Sequence, residues 1–384
     1  MTFSWALLHV GFYDRNQIID TPRYQHFGDS MTRGEVPYRD FEFEYPPGAL
    51  PVFLLPSLAP ADDYRNVFEG LMWACAVATV AFVALTLTAV GATRERTFAA
   101  VAFVALAPLA LGSVVLTRYD YWPAALVAAS MAAFALARWK LAFAVLALAV
   151  TAKLYPLVLL PPALLLVWRR RGPREALAGL ALFTAVVALV VLPFLVVDAG
   201  GLIESVKGQL ERPLQIESLG SALLLAAHHL GWYDATVFNG SGSQNIAGSL
   251  ADTLAGIHGV VQVVAVVGAW ALFAFGARTR AGFLAAAAAS VVGFAAFAKV
   301  LSPQFLIWLV PLVPLVLGRI GVLASTLLAA ALVTTQLYFP FRYWDVVALQ
   351  SATWLVLVRD ALLVALFGAL LVAIRRERAE PRSA

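Results

Sequence analysis

Long apolar runs alternate with short basic clusters along most of the chain. The runs 176–197 and 320–341 contain no charged residue, and each is long enough to cross about 30 Å of hydrocarbon as a helix. They lack the alternation of apolar and polar residues that lipid-facing barrel strands show. The pattern therefore predicts an all-α, polytopic integral membrane protein.

The connecting segments predict how the chain is threaded, because Lys and Arg concentrate on the cytoplasmic side of membrane proteins. The run 141–168 lies between two basic clusters, so it must cross the membrane an even number of times. Its length leaves only about 14 residues, or about 21 Å, for each of two passes. We therefore expect two short helices broken at 152–156, with Lys153 at the apex near the outer surface. The clusters assigned to the cytoplasmic side are Arg94 with Arg96, Arg138 with Lys140, 169–174, Arg278 with Arg280, Arg319 and 375–378.

The remaining runs, including 305–318, bring the count to about twelve passes with both ends cytoplasmic. Residues 1–13 are too short to span, so they predict the outer end of a first helix that either starts upstream or is anchored by neighbouring helices. Residues 48–60 are apolar, short and contain three prolines, which favours an interfacial helix. We expect one domain over 1–384, with a first external loop and interfacial helix at 14–65 and a second external loop at 198–255. In the second loop, a short apolar helix ends at His228 and His229, and 239–248 predicts a flexible turn segment.

Composition supports the membrane interpretation. Of the 384 residues, 61% are hydrophobic and only 13% are charged, which is too apolar for one soluble core. The formal net charge of +4 lies in clusters between apolar runs, a distribution that argues against a nucleic-acid partner. Cys75 is the only cysteine, so neither a disulfide framework nor a cysteine metal site is available.

The most polar stretch of the chain is 14–47, where carboxylates alternate with arginines and aromatic residues. Carboxylates can accept protons and guanidinium groups bind anions, so this segment predicts a catalytic loop. A merely solvated external loop is the alternative interpretation. The pair Pro46 and Pro47 is expected to position Glu44 and Tyr45 at the head of the interfacial helix. The acids are Asp14, Asp20, Asp29, Glu35, Asp40, Glu42 and Glu44, and the arginines are Arg15, Arg23, Arg33 and Arg39.

This segment resembles the first external loop of the GT-C superfamily of polyprenyl-phosphate-sugar-dependent glycosyltransferases, most closely the mannosyltransferase-like family 87. The resemblance lies in Asp20, Tyr24, Gly34, Pro37, Tyr38, the run 39–41 and the run 44–47. It implies that Asp20 is the general base, because the acceptor-activating carboxylate of the superfamily lies soon after the first helix. Asp29, Asp40 and Glu44 are the alternative carboxylates.

Basic residues are expected at three further outer sites, at Arg118, Lys153 and Lys299. Each could simply snorkel to the membrane surface, but their convergence predicts a site for the phosphate of a lipid donor. Sequences of family 87 are similar in a lysine-x-x-proline element, an Arg-Tyr-Asp and a Ser-Pro-Gln. The predicted substrate-binding residues are Tyr24, Asp29, Arg39, Asp40, Glu44, Tyr45, Arg118, Asp120, Lys153, Arg212, Lys299 and Gln304.

Two further pairs of polar residues give weaker indications of function. Adjacent histidines such as His228 and His229 point to different helix faces, which disfavours joint metal binding. Arg359 and Asp360 are expected to pair with each other. No Walker-type loop is present, which disfavours a nucleotide-sugar donor. We expect no cofactor and no metal site, although a divalent cation held by the loop acids remains an open alternative.

The resemblance implies a plasma-membrane enzyme whose active site faces outward. Its expected partners are a polyprenyl-phosphate sugar donor, a glycolipid or polysaccharide acceptor and membrane lipids. Mannose is the first expectation for the sugar and arabinofuranose the second, and direct displacement would invert the anomeric centre. The competing hypothesis is a transporter or flippase of lipid-linked sugars, which would need ionisable groups near the midplane and broken helices in both halves. A structural or assembly protein has no need for so many acids and arginines at the rim.

Overall fold

The computed structural model describes residues 1–276 and 279–377. Arg278 and Arg378, which were assigned to the cytoplasmic side, lie outside the described residues. The helices of the first half are α1 (Thr2–Leu7), α2 (Thr21–Thr32), α3 (Leu50–Leu54), α4 (Tyr64–Ala89), α5 (Arg94–Leu111), α6 (Val114–Thr117), α7 (Tyr121–Ala135), α8 (Trp139–Ala152) and α9 (Leu160–Arg171). Those of the second half are α10 (Pro173–Leu210), α11 (Leu219–His229), α12 (Ser249–Ala274), α13 (Arg280–Ala296), α14 (Gly318–Tyr338), α15 (Tyr343–Val347) and α16 (Thr353–Arg376).

Five helices in the described part of the chain are long and apolar enough to cross a membrane. These are α4 with its preceding turn, α10, α12, α14 and α16. In α10 only 6% of the most apolar window is buried, as expected for a helix that faces lipid. The prediction of a helical membrane protein is confirmed, whereas the count of about twelve passes is not confirmed. Helices α7, α8 and α13 are apolar but shorter.

The expected break in the run 141–168 is confirmed. Helix α8 ends at Ala152, Lys153 has an extended backbone (φ −161°, ψ 145°), and a 3₁₀ turn at Tyr155–Leu159 leads into α9. Pro156 lies in this turn, where its missing N–H costs no helical hydrogen bond. Two short helices therefore meet at Lys153.

The run 305–318, predicted as a transmembrane pass, is not an α-helix. It forms 3₁₀ turns at Pro303–Trp308 and Val313–Leu315. Pro311 and Pro314 cannot donate backbone hydrogen bonds, which explains why a regular helix fails here. Arg96 Nη2 instead donates to the carbonyls of Pro314 and Val316, at 2.7 and 2.8 Å.

The second external loop also differs from its prediction. Helix α10 continues to Leu210 across a kink at Asp198 (φ −156°, ψ 94°), whose carboxylate accepts the Gly201 N–H at 3.0 Å. The segment predicted as a flexible turn contributes to an antiparallel hairpin of β1 (Thr236–Gly240) and β2 (Ser243–Ala247). Ser241 and Gly242 both have positive φ, as tight two-residue hairpin turns require. The described chain is otherwise all-helical, so the all-α prediction is confirmed and these two short strands are a local addition to it.

The first external loop has a folded aromatic core. Helix α2 packs on the segment 47–58, and at Gly28 the two backbones approach so closely that a Cβ would lie 2.3 Å from the Phe53 carbonyl oxygen. The rings of Tyr24 and Phe27 pack on Phe53 with centroid distances of 4.6 and 6.0 Å. This packing fixes the start of α2, and with it the position of Asp20.

Candidate active site

Asp20 lies next to Arg118. Asp20 precedes the first residue of α2, and its Oδ2 is 3.0 Å from Arg118 Nε. The aspartate side chain is 36% exposed, whereas that of the arginine is only 7% exposed. Arg118 Nη1 also donates to the carbonyl oxygens of Ile18 and Thr117, at 3.2 and 3.3 Å. The structure thus brings the predicted base into an ion pair with a predicted phosphate ligand.

A second pair follows two residues later in the chain. Asp120 Oδ1 accepts hydrogen bonds from Lys153 Nζ and Trp308 Nε1, both at 2.6 Å. Asp120 is 1% exposed, so it lies behind the lysine and holds it. The ammonium also lies 4.5 Å from the ring centre of Tyr119 and 5.2 Å from that of Trp308, which are cation–π distances. Lys153 is therefore held at the helix break, and among the residues that the structure describes its ammonium donates a hydrogen bond to Asp120 alone.

Aromatic rings of the first loop pack around Tyr119, the residue between Arg118 and Asp120. The Tyr119 ring lies 5.9 Å from Tyr24, 4.9 Å from Tyr45 and 5.2 Å from Phe53. Pro46 and Pro47 begin a 3₁₀ turn directly after Tyr45, as expected for their role in positioning the preceding residues. Burial raises the pKa of Tyr24 well above its usual value, so its hydroxyl stays protonated. Tyr24, Phe53 and Tyr119 are at most 1% exposed, so their rings form a packed core that supports the neighbouring ion pairs.

Arg212 lies close enough to Glu44 and Tyr45 to interact with both electrostatically. Glu44 forms an ion pair with Arg23 at 3.3 Å. Arg212 donates to Ser243 Oγ at 3.0 Å, which ties it to the hairpin. Burial lowers the pKa of Arg212, while the charge of Glu44 opposes that effect. A cation is therefore held near Glu44 at a cost in hydration, an arrangement that suits an incoming anion.

Lys299 was predicted to bind substrate, and in the structure it also contacts the end of α10. Its ammonium donates to the carbonyl of Leu210, the last residue of α10, at 2.7 Å. A cation is favourable at a helix C-terminus, so this contact stabilises the end of α10. Burial, followed by the charge of Arg212, lowers the pKa of Lys299. Lys299 thus lies near Arg212, although its ammonium already donates a hydrogen bond to the backbone.

Four predicted residues are not brought into this group by any contact in the described chain. Asp29 is nine residues into α2 from Asp20, which places it about 13 Å away along the axis and on the opposite helix face. Arg39 and Asp40 pair with each other at 2.8 Å, and this pair together with the Val36 N–H lowers the pKa of Asp40 to about 2. Gln304 makes no side-chain hydrogen bond within the described residues. For these four residues a substrate-binding role remains a prediction.

Trp308 and a buried polar group were missed by sequence reasoning. Gln215 accepts the Leu301 N–H at 2.8 Å and donates to Ser302 Oγ at 3.0 Å, so it joins the second loop to 299–302. Glu217 accepts from the Tyr338 hydroxyl at 3.0 Å, and burial raises its pKa to about 7. The polar run 212–218 was a signal for these contacts. No sequence signal indicated that Trp308 contacts Asp120, because Trp308 lies in an apolar run.

The remaining polar candidates have local partners. Arg359 and Asp360 form a fully buried ion pair at 2.6 Å, so the expected pairing is confirmed. His229 Nε2 is 2.6 Å from Thr353 Oγ1, and His228 Nδ1 is 3.2 Å from the Tyr233 carbonyl oxygen. Among the residues that the structure describes, no group of three or more His, Cys, Asp or Glu is placed to hold a metal ion.

The described geometry thus combines the partly exposed carboxylate of Asp20, the largely buried cations Arg118 and Lys153, and a core of packed aromatic rings. A carboxylate can accept a proton from a hydroxyl group, and cations can stabilise a phosphate that gains negative charge. These two functions are what transfer of a group from a phosphate ester to a hydroxyl requires.

A comparison with family models matches residues 43–303, more than half of the chain, to the model described as Glycosyltransferase family 87. Asp20 and α2 precede the matched region. The match includes Glu44, Arg118, Asp120, Lys153, Arg212 and Lys299. No curated protein matches the chain.

Proposed function

The chain belongs to glycosyltransferase family 87, and from this premise we propose that it transfers a sugar from a polyprenyl-phosphate donor to a hydroxyl group of a glycolipid or polysaccharide. The family and the apolar helices establish a membrane glycosyltransferase. Donor, acceptor and mechanism are the proposed part. Mannose is the first choice of sugar and arabinofuranose the second.

In the proposed reaction, Asp20 is the general base. Oδ2 of the carboxylate faces Arg118, which leaves Oδ1 to take the acceptor proton. The acceptor oxygen then forms a bond to the anomeric carbon as the bond from that carbon to the phosphate oxygen breaks. The electron pair leaves with the polyprenyl phosphate, and one such displacement inverts the anomeric centre.

Arg118 and Lys153 are proposed to stabilise the departing phosphate. Lys153 has three N–H donors, and one is 2.6 Å from Asp120, so others remain for phosphate oxygens. Arg118 is 6% exposed and Asp120 is 1% exposed, and low solvent access strengthens electrostatic stabilisation. Arg212 supplies a further cation near Glu44.

The observation that carries this proposal is the juxtaposition at 118–120. One short segment holds a carboxylate partner for Lys153 and a guanidinium partner for Asp20. Tyr119 is the residue between them in the chain, so the proposed proton acceptor and the proposed phosphate ligands depend on one segment. We further propose that the site faces outward across the plasma membrane, because the basic clusters lie at the other end of the helices.

Reconstitution tests the proposed reaction. Purified protein in liposomes is supplied with polyprenyl-phosphate mannose and a glycolipid acceptor, and the product linkage is determined by NMR. Appearance of a mannosylated acceptor with inverted configuration supports the proposal. If intact donor crosses the bilayer and no sugar is transferred, the transporter hypothesis replaces it.

A further inference from the structure

An open cavity of about 750 Å³ lies at the end of the helices where the chain's basic clusters meet. We call it the basic cavity. Its walls are formed by the ends of α4, α9 and α16 and by the starts of α13 and α14. The charged residues that line it are Arg170, Arg280, Arg319, Arg376 and Glu377.

The basic cavity is separate from the Asp20 site. Helix α13 begins at Arg280 in the cavity wall and ends at Ala296, three residues before Lys299. Its 17 residues rise about 25 Å. A ligand in the basic cavity therefore lies roughly one membrane thickness from the candidate active site.

The charge of the lining favours an anion. Among its described residues there are four guanidinium groups and one carboxylate. The carboxylate of Glu377 already accepts a hydrogen bond from Thr279 Oγ1 at 2.8 Å. Arg280 Nε is buried and has no hydrogen-bond partner among the described residues. The described lining thus carries a net positive charge.

Two helix starts add to the positive potential. The Thr279 hydroxyl caps the start of α13 by accepting the Gly282 N–H at 2.9 Å, whereas α14 begins at Gly318 behind Leu317, which provides no side-chain cap. The backbone N–H groups in a first helical turn point outward and carry partial positive charge. Arginines at the ends of α9 and α16 offset the carbonyl groups that these ends present to the cavity.

The wall is held in place by backbone contacts. Arg96 binds the Pro314 and Val316 carbonyls, as described above, and fixes the segment before α14. Gly321 lies so close to Val316 that a Cβ would be 1.8 Å from its carbonyl oxygen. The donors around the cavity are therefore presented by a preformed wall, which lowers the entropic cost of binding.

We propose that the basic cavity binds a phosphate group. Arginine forks match phosphate oxygens in geometry, and an uncapped helix start such as that of α14 is a general phosphate site. Two sources offer this chemistry: the headgroup of an anionic phospholipid in the adjacent leaflet, and a free phosphate compound. The proposal is independent of the transferase chemistry, because its test measures binding alone.

The test uses the full-length protein and the double variant Arg280→Gln/Arg319→Gln. Native mass spectrometry from nanodiscs of phosphatidylglycerol with phosphatidylcholine measures retained lipid, and a thermal-shift titration with inorganic phosphate measures the free anion. We expect retention of phosphatidylglycerol to fall at least tenfold in the double variant and to be unchanged in Arg94→Gln, an exposed arginine outside the lining. Glu377→Gln, which removes the one acidic group of the described lining, should increase retention.

The two arms distinguish the sources. Selective retention of phosphatidylglycerol that the double variant loses, without a phosphate shift, identifies a lipid headgroup, and a phosphate shift that the double variant loses identifies a free phosphate. If the double variant does not fold, the gain expected for Glu377→Gln decides alone. Equal retention of phosphatidylglycerol by the wild-type protein and the folded double variant, with no phosphate shift that the double variant loses, would overturn the proposal.

Discussion

Removing the carboxylate of Asp120 should destabilise the protein strongly. Asp120 is 1% exposed and accepts hydrogen bonds from Lys153 and Trp308 at 2.6 Å. Asp120→Ala leaves an ammonium group that is only 16% exposed without its counter-charge, and an indole N–H without an acceptor. Breaking a buried ion pair from one side costs about 3–5 kcal/mol, and each lost neutral hydrogen bond about 1 kcal/mol.

The lysine retains some contact with solvent, so we expect a loss of about 3–4 kcal/mol in the free energy of unfolding. Asp345→Ala is the matched control. Asp345 pairs with Arg342 at 3.2 Å, but both side chains are at least 40% exposed. An exposed pair of this kind contributes about 0–1 kcal/mol.

Denaturant titrations in detergent, followed by tryptophan fluorescence, measure both variants. The double variant Asp120→Ala/Lys153→Met should recover part of the loss, because it leaves no unpaired charge. The buried ion pair does not stabilise the fold as described if Asp120→Ala costs no more than Asp345→Ala, or if the double variant is the least stable of the set.

Three further predictions concern the donor site, the α10 kink and the second loop. Lys153→Ala should abolish binding of a polyprenyl-phosphate sugar in a folded protein, and unchanged donor affinity would make the lysine a structural residue only. Gly201→Ala should destabilise by about 1–3 kcal/mol, because its Cβ would lie 2.2 Å from the Tyr38 carbonyl oxygen. Gly208→Ala in the same helix has no atom within 4 Å of the new Cβ and should gain about 0.5 kcal/mol, and equal effects of the two in thermal unfolding would contradict this. Burial raises the pKa of Glu217 from 4.5 to about 7, so the folded state keeps a proton that the unfolded state releases. Stability should therefore fall as the pH rises from about 4.5 to 7, and Glu217→Gln should remove that slope in unfolding curves measured across this range.

Elements set by local pattern were predictable from the sequence. The break at Lys153 followed from a run too short for two full passes between basic clusters, and the structure places Lys153 between α8 and α9. The short helix ending at His229 and the pairing of Arg359 with Asp360 also depend on neighbouring residues alone. Hydrophobic length and residue spacing carry enough information for such features.

Contacts between distant segments were not predictable in the same way. Asp20 and Arg118 were each selected, but nothing in their local sequences indicates that they form an ion pair. The run 305–318 had the apolar character of a membrane helix, and only its prolines signalled the 3₁₀ turns that bring Trp308 to Asp120. A single sequence shows composition and period, whereas tertiary packing decides which of these segments meet.

In the proposed reaction, Asp20 accepts the proton of the acceptor hydroxyl group. The rate of sugar transfer by Asp20→Asn tests this role, because the variant keeps the size of the side chain but cannot act as a base. Donor binding is measured in parallel, and Asp29→Asn and Glu44→Gln serve as controls from the same loop. Loss of a general base typically costs about 10²- to 10⁴-fold in rate.

We predict a loss of that size for Asp20→Asn with donor binding retained, and near-normal turnover for Asp29→Asn. Normal turnover by Asp20→Asn together with loss of activity in Glu44→Gln would move the base to Glu44. Normal turnover by all three variants would contradict the claim that the first loop is catalytic.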